Sequence, residues 1–247
     1  MSEKSSLSFS KTLREWWRQT AALDGTHGAL RRLFSEMWGF LRESTPEQRR
    51  RRYGDVEYDW DHRVDTTSAT VGWRTRLLGI FHSPYQPTEP ALFHEMLSSL
   101  SIPFAEFIFI DLGSGKGRTL LMAADYPFCR IIGVELMPDL HQIAETNLKS
   151  YSHPNQKCFA LESIRADARD FEFPAEPTVL YLFNPLPAAR LAQVLENLKS
   201  SLNVHPRPVY VLYHNPEHDP LFAEHPNFKR DGGTHQFSIY ECGPAAG

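Results

Sequence analysis

Two acidic residues and three glycines stand close together near the middle of the chain, with a spacing that suits a nucleotide-like ligand. Asp111 follows the apolar run FIFI, and the loop after it contains GSGKG, residues 113–117. Glycines fit where the backbone turns sharply or lies against a ligand, because a Cβ atom would collide there. A second apolar run, IIGV, leads directly into Glu135. A carboxylate at this point can accept hydrogen bonds from two ribose hydroxyls, so the residues predict a site for a nucleoside-containing cofactor.

The position of the third glycine separates two kinds of cofactor. A dinucleotide fingerprint, G-x-G-x-x-G, requires its third glycine at position 118, but Arg118 stands there and the glycine is Gly117. This spacing disfavours a nicotinamide dinucleotide. The order of acid, G-x-G-x-G, helix, strand and second acid instead resembles motif I of class I methyltransferases that depend on S-adenosylmethionine (SAM). By this resemblance Asp111 is the motif I acid and Glu135 is the ribose-binding acid.

The resemblance also implies contacts with the adenine and methionine ends of SAM. Leu136 and Met137 would cover the faces of the adenine, Asp167 would accept its exocyclic amine, and the backbone N–H of the next residue, Ala168, would bond a ring nitrogen. Tyr85 and Thr88 would touch the methionine end, although Thr88 fits a simple helix cap equally well. The predicted cofactor-binding residues are Tyr85, Thr88, Asp111, Gly113, Ser114, Gly115, Gly117, Glu135, Leu136, Asp167, Ala168 and Asn184.

The elements that would position these residues alternate between strands and helices. The predicted strands are residues 107–110, 131–135, 159–166, 179–183 and 208–213, followed by a closing hairpin at 228–240 around Asp231-Gly232-Gly233. Ligands bind outside the carboxyl ends of parallel strands, which is where the singled-out residues fall. We therefore predict an α/β fold with a Rossmann-like, seven-stranded, mostly parallel sheet, helices on both faces, and an N-terminal helical extension.

Asn184-Pro185 ends the fourth strand and resembles motif IV, [DNS]-P-P-[FYW], of amino-group methyltransferases. In that family the asparagine oxygen and the following carbonyl accept hydrogen bonds from an amine and aim its lone pair at the methyl group. Leu186 and Pro187 depart from the motif, which argues against a DNA adenine enzyme that stacks an aromatic ring on a flipped base. Asn-Pro either orients an amine or ends the strand.

His214 ends the fifth strand and either accepts a proton or makes a strand-end hydrogen bond. Its neighbour Tyr213 is a second possible helper. Glu217 is misplaced for the H-E-x-x-H zinc motif between His214 and His218, so no metal site is predicted. The predicted catalytic residues are Asn184, Pro185 and His214.

The D-L-G-S-G loop and a strand ending in asparagine also resemble DOT1-type lysine methyltransferases. The resemblance implies a SAM-dependent enzyme whose acceptor is an amine nitrogen, on a protein side chain or a small molecule, rather than a nucleic-acid base. Two other functions remain open: a SAM-binding interaction module without catalysis, and an NAD-dependent oxidoreductase, which the position of Gly117 disfavours.

The resemblance covers residues 85–247, the predicted methyltransferase domain. It leaves residues 1–84 as an extension that caps the domain, covers the substrate or binds a partner. One stripe at helical spacing predicts an amphipathic helix there: Leu30, Leu33, Phe34, Met37, Trp38 and Leu41. Residues 49–52 are all arginine and are followed by the acids Asp55, Glu57, Asp59 and Asp61, a pattern typical of a solvated, mutually paired surface. Residues 53–88 are predicted to form a loop-rich lead-in across the cofactor site.

The composition of the chain excludes some classes of protein. A net charge of -4 argues against a protein that binds nucleic acid over its whole surface. Three cysteines far apart in the sequence are typical of reduced thiols. The chain shows no signal-peptide pattern and no stretch apolar enough for a membrane span, so we expect a cytoplasmic protein that does not enter membranes.

Overall fold

The chain forms two compact units, residues 1–54 with 67–85, and residues 55–66 with 86–247. The computed structural model describes residues 9–43, 56–67, 86–183, 186–225 and 227–242. The domain boundary between residues 84 and 85 stays a prediction; the second compact unit also contains residues 55–66. None of the described helices is both long and apolar enough to cross a membrane.

The first unit contributes one long helix, α1 (Phe9–Glu43), which is kinked at the non-helical residue Gly25. Beyond the kink, most of the predicted apolar stripe is exposed, and Phe34 and Trp38 keep 79% and 70% of their surface in solvent. The spacing therefore predicted the helix correctly, but these side chains face outward rather than into a core.

The second unit alternates strands and helices. In chain order its elements are α2 (Val56–His62), α3 (Pro90–Ser98), β1 (Ile108–Leu112), α4 (Arg118–Ala123), β2 (Arg130–Glu135), α5 (Pro138–Ser150), β3 (Leu161–Arg165), β4 (Thr178–Phe183), α6 (Ala188–Val204), β5 (Val209–His214), α7 (Pro220–Ala223), β6 (Phe228–Gly233) and β7 (Phe237–Cys242).

The strands form one seven-stranded sheet in the order β3-β2-β1-β4-β5-β7-β6. Strands β1 to β5 are parallel, and β7 pairs antiparallel with both β5 and β6. The predicted fold class, a mostly parallel α/β sheet closed by a hairpin, is confirmed.

Each face of the sheet has its own apolar core. All five residues of β1 are buried, which explains its apolar run without alternation, because helices cover both faces. On β4, Leu180 and Leu182 belong to one core together with α6, while Val179 and Tyr181 belong to the other together with α3 and α4.

Some predicted boundaries were wrong. Strand β1 continues through Asp111 to Leu112, which pairs with Val134. The hairpin turn was placed too early: Gly232 and Gly233 pair with β7, and the turn follows at 234–236, where the Thr234 N–H donates to the Phe237 carbonyl at 2.8 Å. The predicted loop-rich lead-in contains helix α2.

Candidate functional site

The glycine loop, residues 113–117, lies between the ends of β1 and β2. The N–H groups of Gly113 and Ser114 donate to the Val134 carbonyl at 2.8 and 3.1 Å, so the loop begins against β2. Gly117 has a φ of 84°, in the left-handed region that favours glycine, and it precedes α4. A Cβ atom on Gly133 of β2 would lie 2.6 Å from Ser114 Oγ and from Leu120 Cδ1, so any larger residue there would displace the Ser114 or Leu120 side chain.

Asp111 supports the loop from within the sheet. It pairs with Gly133 across β1 and β2, and its Oδ2 accepts a hydrogen bond from the Thr119 hydroxyl on α4. Burial raises the pKa of Asp111 to about 7; the nearby Glu135 charge adds to this rise, and the Thr119 hydrogen bond opposes it. Asp111 therefore joins β1 to α4 below the loop.

Glu135 connects the end of β2 to the glycine loop. Its Oε2 accepts a hydrogen bond from the Gly115 N–H at 2.8 Å, and its Oε1 accepts one from the Met137 N–H at 2.7 Å. Burial raises the pKa of Glu135, and backbone hydrogen bonds from Met137, Gly115 and Leu136 partly offset that rise. A carboxylate has about four acceptor positions, so Glu135 keeps capacity for further hydroxyl donors.

Asp167 follows β3 and is held by its own turn. Its Oδ1 accepts from the N–H and Nε of Arg169, both at 3.0 Å, and its Oδ2 accepts from Arg169 Nη2 at 2.6 Å. Although burial raises the pKa of Asp167, the hydrogen bonds and charge of Arg169 together hold it below its usual range. An adenine amine at Asp167 would have to compete with Arg169, a partner that the sequence prediction omitted.

A chain of hydrogen bonds links three buried side chains on one face of the sheet. Thr88 Oγ1 and Tyr181 Oη lie 2.8 Å apart, and Tyr181 Oη lies 2.8 Å from His214 Nδ1. The His214 ring stacks on Phe183 at a centroid distance of 3.9 Å. Burial lowers the pKa of His214 to about 4, so its imidazole is neutral at neutral pH. Thr88, predicted as a helix cap or cofactor contact, makes no side-chain cap bond to α3, whose N-cap residue is Glu89.

The structure brings most of the predicted residues to the carboxyl edge of the sheet. Asp111, Glu135, Asp167 and His214 fall in or just after β1, β2, β3 and β5, respectively. Tyr85, Asn184 and Pro185 lie outside the described residues.

Sequence reasoning missed a polar network beside the loop. Lys116 and Arg118 bind residues of the segment after α2: Lys116 Nζ lies 2.7 Å from Asp65 Oδ1, and Arg118 Nε donates to Thr66 Oγ1 at 2.7 Å. Asp59, predicted to lie on a solvated surface, is buried and accepts a hydrogen bond from the Thr66 N–H at 2.7 Å. The only signal in the sequence was the presence of two basic residues, Lys116 and Arg118, within and directly after the glycine motif.

The fold and the loop together define a class of protein. A sheet of this strand order, with a glycine loop after β1 and an acid ending β2, is the arrangement of class I methyltransferases. This chain has the class I methyltransferase fold, and SAM is the cofactor of that class.

Comparison with known proteins finds similarity to one family of methyltransferases. Residues 82–178 match the model of the family described as histone methylation protein DOT1. Over 109 residues the chain is 28% identical to the histone-lysine N-methyltransferase, H3 lysine-79 specific, of Dictyostelium discoideum. That alignment covers 40% of this chain and 6% of the relative, so the chain matches only a small part of that protein.

Solved structures resemble the chain more distantly. An RNA methyltransferase from Salinibacter ruber, in complex with S-adenosyl-L-homocysteine, is 21% identical, with a TM-score of 0.43 over 64% of this chain and 93% of that one. A predicted N6-adenine-specific DNA methylase from Listeria monocytogenes is 15% identical, with a TM-score of 0.47 over 64% of this chain and 52% of that one. At these scores the likenesses add nothing to what the strand order defines.

Proposed function

We propose that this chain transfers the methyl group of SAM to an amine nitrogen, and that the amine is a lysine side chain of a protein. The observation that carries the proposal is the contact between Glu135 and Gly115, which joins the ribose-binding acid to the glycine loop within the segment that matches the DOT1 family. The similarity to a histone-lysine N-methyltransferase supports lysine as the acceptor.

The residues of the loop fit SAM. Glu135 has acceptor capacity for the ribose hydroxyls. Ser114 Oγ is buried and has no hydrogen-bond partner among the described residues, and a ligand in the loop would offer one. The glycines leave the backbone free to approach a ligand closely, since no Cβ atom intervenes. Asp111, Gly113, Ser114, Gly115, Gly117 and Glu135 would therefore hold the cofactor.

The residues near β4 and β5 suit an amine acceptor. When bound, SAM supplies an electrophilic methyl group on its sulfonium. The side-chain oxygen of Asn184 and the Pro185 carbonyl would orient the amine by accepting its hydrogens. The neutral imidazole of His214 would accept a hydrogen bond from the amine, and its lowered pKa makes it too weak a base to take up the proton of the amine. Apolar neighbours such as Phe183 would limit water around the reacting nitrogen.

A transfer experiment tests the acceptor. The purified chain is incubated with methyl-labelled SAM and a heat-inactivated cell lysate, which is then separated into protein, nucleic-acid and small-molecule fractions. We expect the label in protein, recovered as methylated lysine after complete hydrolysis, and we expect none with the Glu135→Ala variant, which loses the ribose acceptor.

Label in a fraction other than protein would contradict the proposed acceptor. Label confined to nucleic acid would contradict an amine acceptor on a protein, and label confined to small molecules would contradict lysine. SAM binding without transfer to any fraction would favour a non-catalytic binding module. NADH binding without SAM binding would favour an oxidoreductase.

A further inference from the structure

The short segment from α2 to Thr66 packs against the outer side of the glycine loop, within the same compact unit. Lys116, the fourth of the five loop residues, has a fully buried side chain, and its Nζ lies 2.7 Å from Asp65 Oδ1. The Asp65 side chain itself is 44% exposed. A buried ammonium group requires a paired partner, so this contact fixes both the loop and the segment.

Asn147 of α5 ties the same two residues together through their backbones. Its Oδ1 accepts a hydrogen bond from the Asp65 N–H at 2.9 Å. Its Nδ2 donates to the Asp65 carbonyl at 2.8 Å and to the Lys116 carbonyl at 3.0 Å. The segment and the loop are therefore held by a side-chain ion pair and by a shared amide.

A second set of contacts lies at Arg118, the first residue of α4. Its Nε donates to Thr66 Oγ1 at 2.7 Å, and its Nη2 lies 3.4 Å from Asp59 Oδ1. Its guanidinium group lies over the Tyr58 ring, 4.9 Å from the centroid. Arg118 and Asp59 are both buried, so neither charge is compensated by bulk water.

These contacts bear on the conformation of a loop that is flexible by composition. Three of its five residues are glycines with positive φ, at 87°, 55° and 84°, and glycine restricts the backbone least. Glu135 and Val134 fix the inner side of the loop. The outer clamp, which we define as Asp59, Asp65 and Thr66, binds the outer side of the loop at Lys116 and the residue after the loop, Arg118.

We propose that the outer clamp positions the glycine loop for SAM, so that Asp65 and Asp59 are positioning residues of the cofactor site. This inference rests on the proposed function. It extends the site to residues before the segment that matches the DOT1 family, and to an ion pair between Asp65 and Lys116 that no feature of the motif requires. Loss of the clamp leaves the loop free to sample other conformations, which weakens SAM binding without altering any group that contacts the ligand.

Calorimetric titration with S-adenosyl-L-homocysteine tests the proposal on the full chain. We expect Asp65→Ala to raise Kd at least tenfold and Asp65→Asn, which keeps the shape but loses the charge, to raise it less. Asp65→Ala leaves the buried Lys116 ammonium unpaired and should lower the unfolding temperature, so thermal unfolding would verify that both variants are folded at the temperature of the titration. A double variant with Lys116→Met should lose less affinity than the sum of the two single losses, since both substitutions break the same pair.

A matched control and a local readout separate positioning from a general loss of stability. The Asp219 carboxylate accepts hydrogen bonds from Arg230, Ser238 and Tyr240 of the terminal hairpin. Asp219→Asn removes this carboxylate and should leave Kd unchanged even where it lowers the unfolding temperature. Hydrogen exchange should accelerate at the amides of residues 113–117 in Asp65→Ala but not at residues 228–233.

The two proposals fail differently. If the folded wild type does not bind S-adenosyl-L-homocysteine, both the proposed function and the clamp are contradicted. If the wild type binds and both Asp65 variants keep a Kd within twofold of it, the clamp alone is contradicted.

Discussion

Asp111 and His214 are buried ionisable residues on the same face of the sheet, and burial favours the neutral form of each. Their contributions to the free energy of unfolding change with pH in opposite directions. Asp111 keeps a proton in the folded state up to about pH 7, so its contribution to the free energy of unfolding falls as the pH rises from about 4 to 7. His214 resists protonation down to about pH 4, so its contribution falls as the pH drops from about 6.5 to 4.

Replacing Asp111 by Asn should remove the fall in the free energy of unfolding that Asp111 causes between about pH 4 and 7. Asn can still accept the Thr119 hydrogen bond but never becomes a buried charge. The gain in the free energy of unfolding should be near zero at about pH 4 and reach about 2–4 kcal/mol above pH 8. Urea denaturation at several pH values measures it, with exposed Asp170→Asn as the control. A gain that does not change with pH would contradict the assigned pKa.

Removing the Tyr181 hydroxyl should break the hydrogen-bond link between Thr88 and His214. In Tyr181→Phe both buried partners lose their hydrogen bonds to this oxygen, which should lower the free energy of unfolding by about 1–3 kcal/mol. Tyr210→Phe is a matched control, since the Tyr210 hydroxyl is at a partly exposed site and lies 3.5 Å from Glu241. Equal losses in the two variants by urea denaturation would contradict the buried chain of hydrogen bonds.

Among the secondary-structure elements, those that depend on a local residue pattern could be predicted from the sequence. The apolar run of β1 predicted a strand, because helices cover both faces of a parallel sheet and leave no polar alternation. The acids and glycines predicted the loop, because only a few residue types fit that backbone. The pattern could not show that Asp59 and Asp65 bind Arg118 and Lys116, which lie 59 and 51 residues further along the chain. Charge spacing alone made Asp59 part of a solvated surface.

The terminal hairpin offers a test at the same scale. Asp219, next to α7, accepts hydrogen bonds from Tyr240 Oη at 2.7 Å, Ser238 Oγ at 3.0 Å and Arg230 Nη1 at 3.1 Å. Asp219→Ala should lower the free energy of unfolding by about 1–3 kcal/mol, because these bonds hold the hairpin to the chain that follows β5. Exposed Glu224→Ala should have little effect in the same urea titration. A loss in Asp219→Ala no larger than in that control would contradict the role of Asp219.

At the scale of the whole molecule, the cofactor site belongs to a unit that is discontinuous in sequence. Residues 55–66 join residues 86–247 in one compact unit, whereas the match with the DOT1 family begins at residue 82. Motif resemblance located the glycine loop and its acids but stopped short of the segment packed against them. The sequence before residue 85 had no motif to identify, so its contribution became visible only through contacts.

The central claim is that this unit binds SAM through the glycine loop and Glu135. Calorimetric titration of the full chain with SAM tests it directly. We expect saturable binding at one site per chain, weakened at least tenfold by Glu135→Ala and unchanged by Asp219→Asn. A folded wild-type chain that shows no binding, or a Glu135→Ala variant that binds as tightly as the wild type, would contradict the claim.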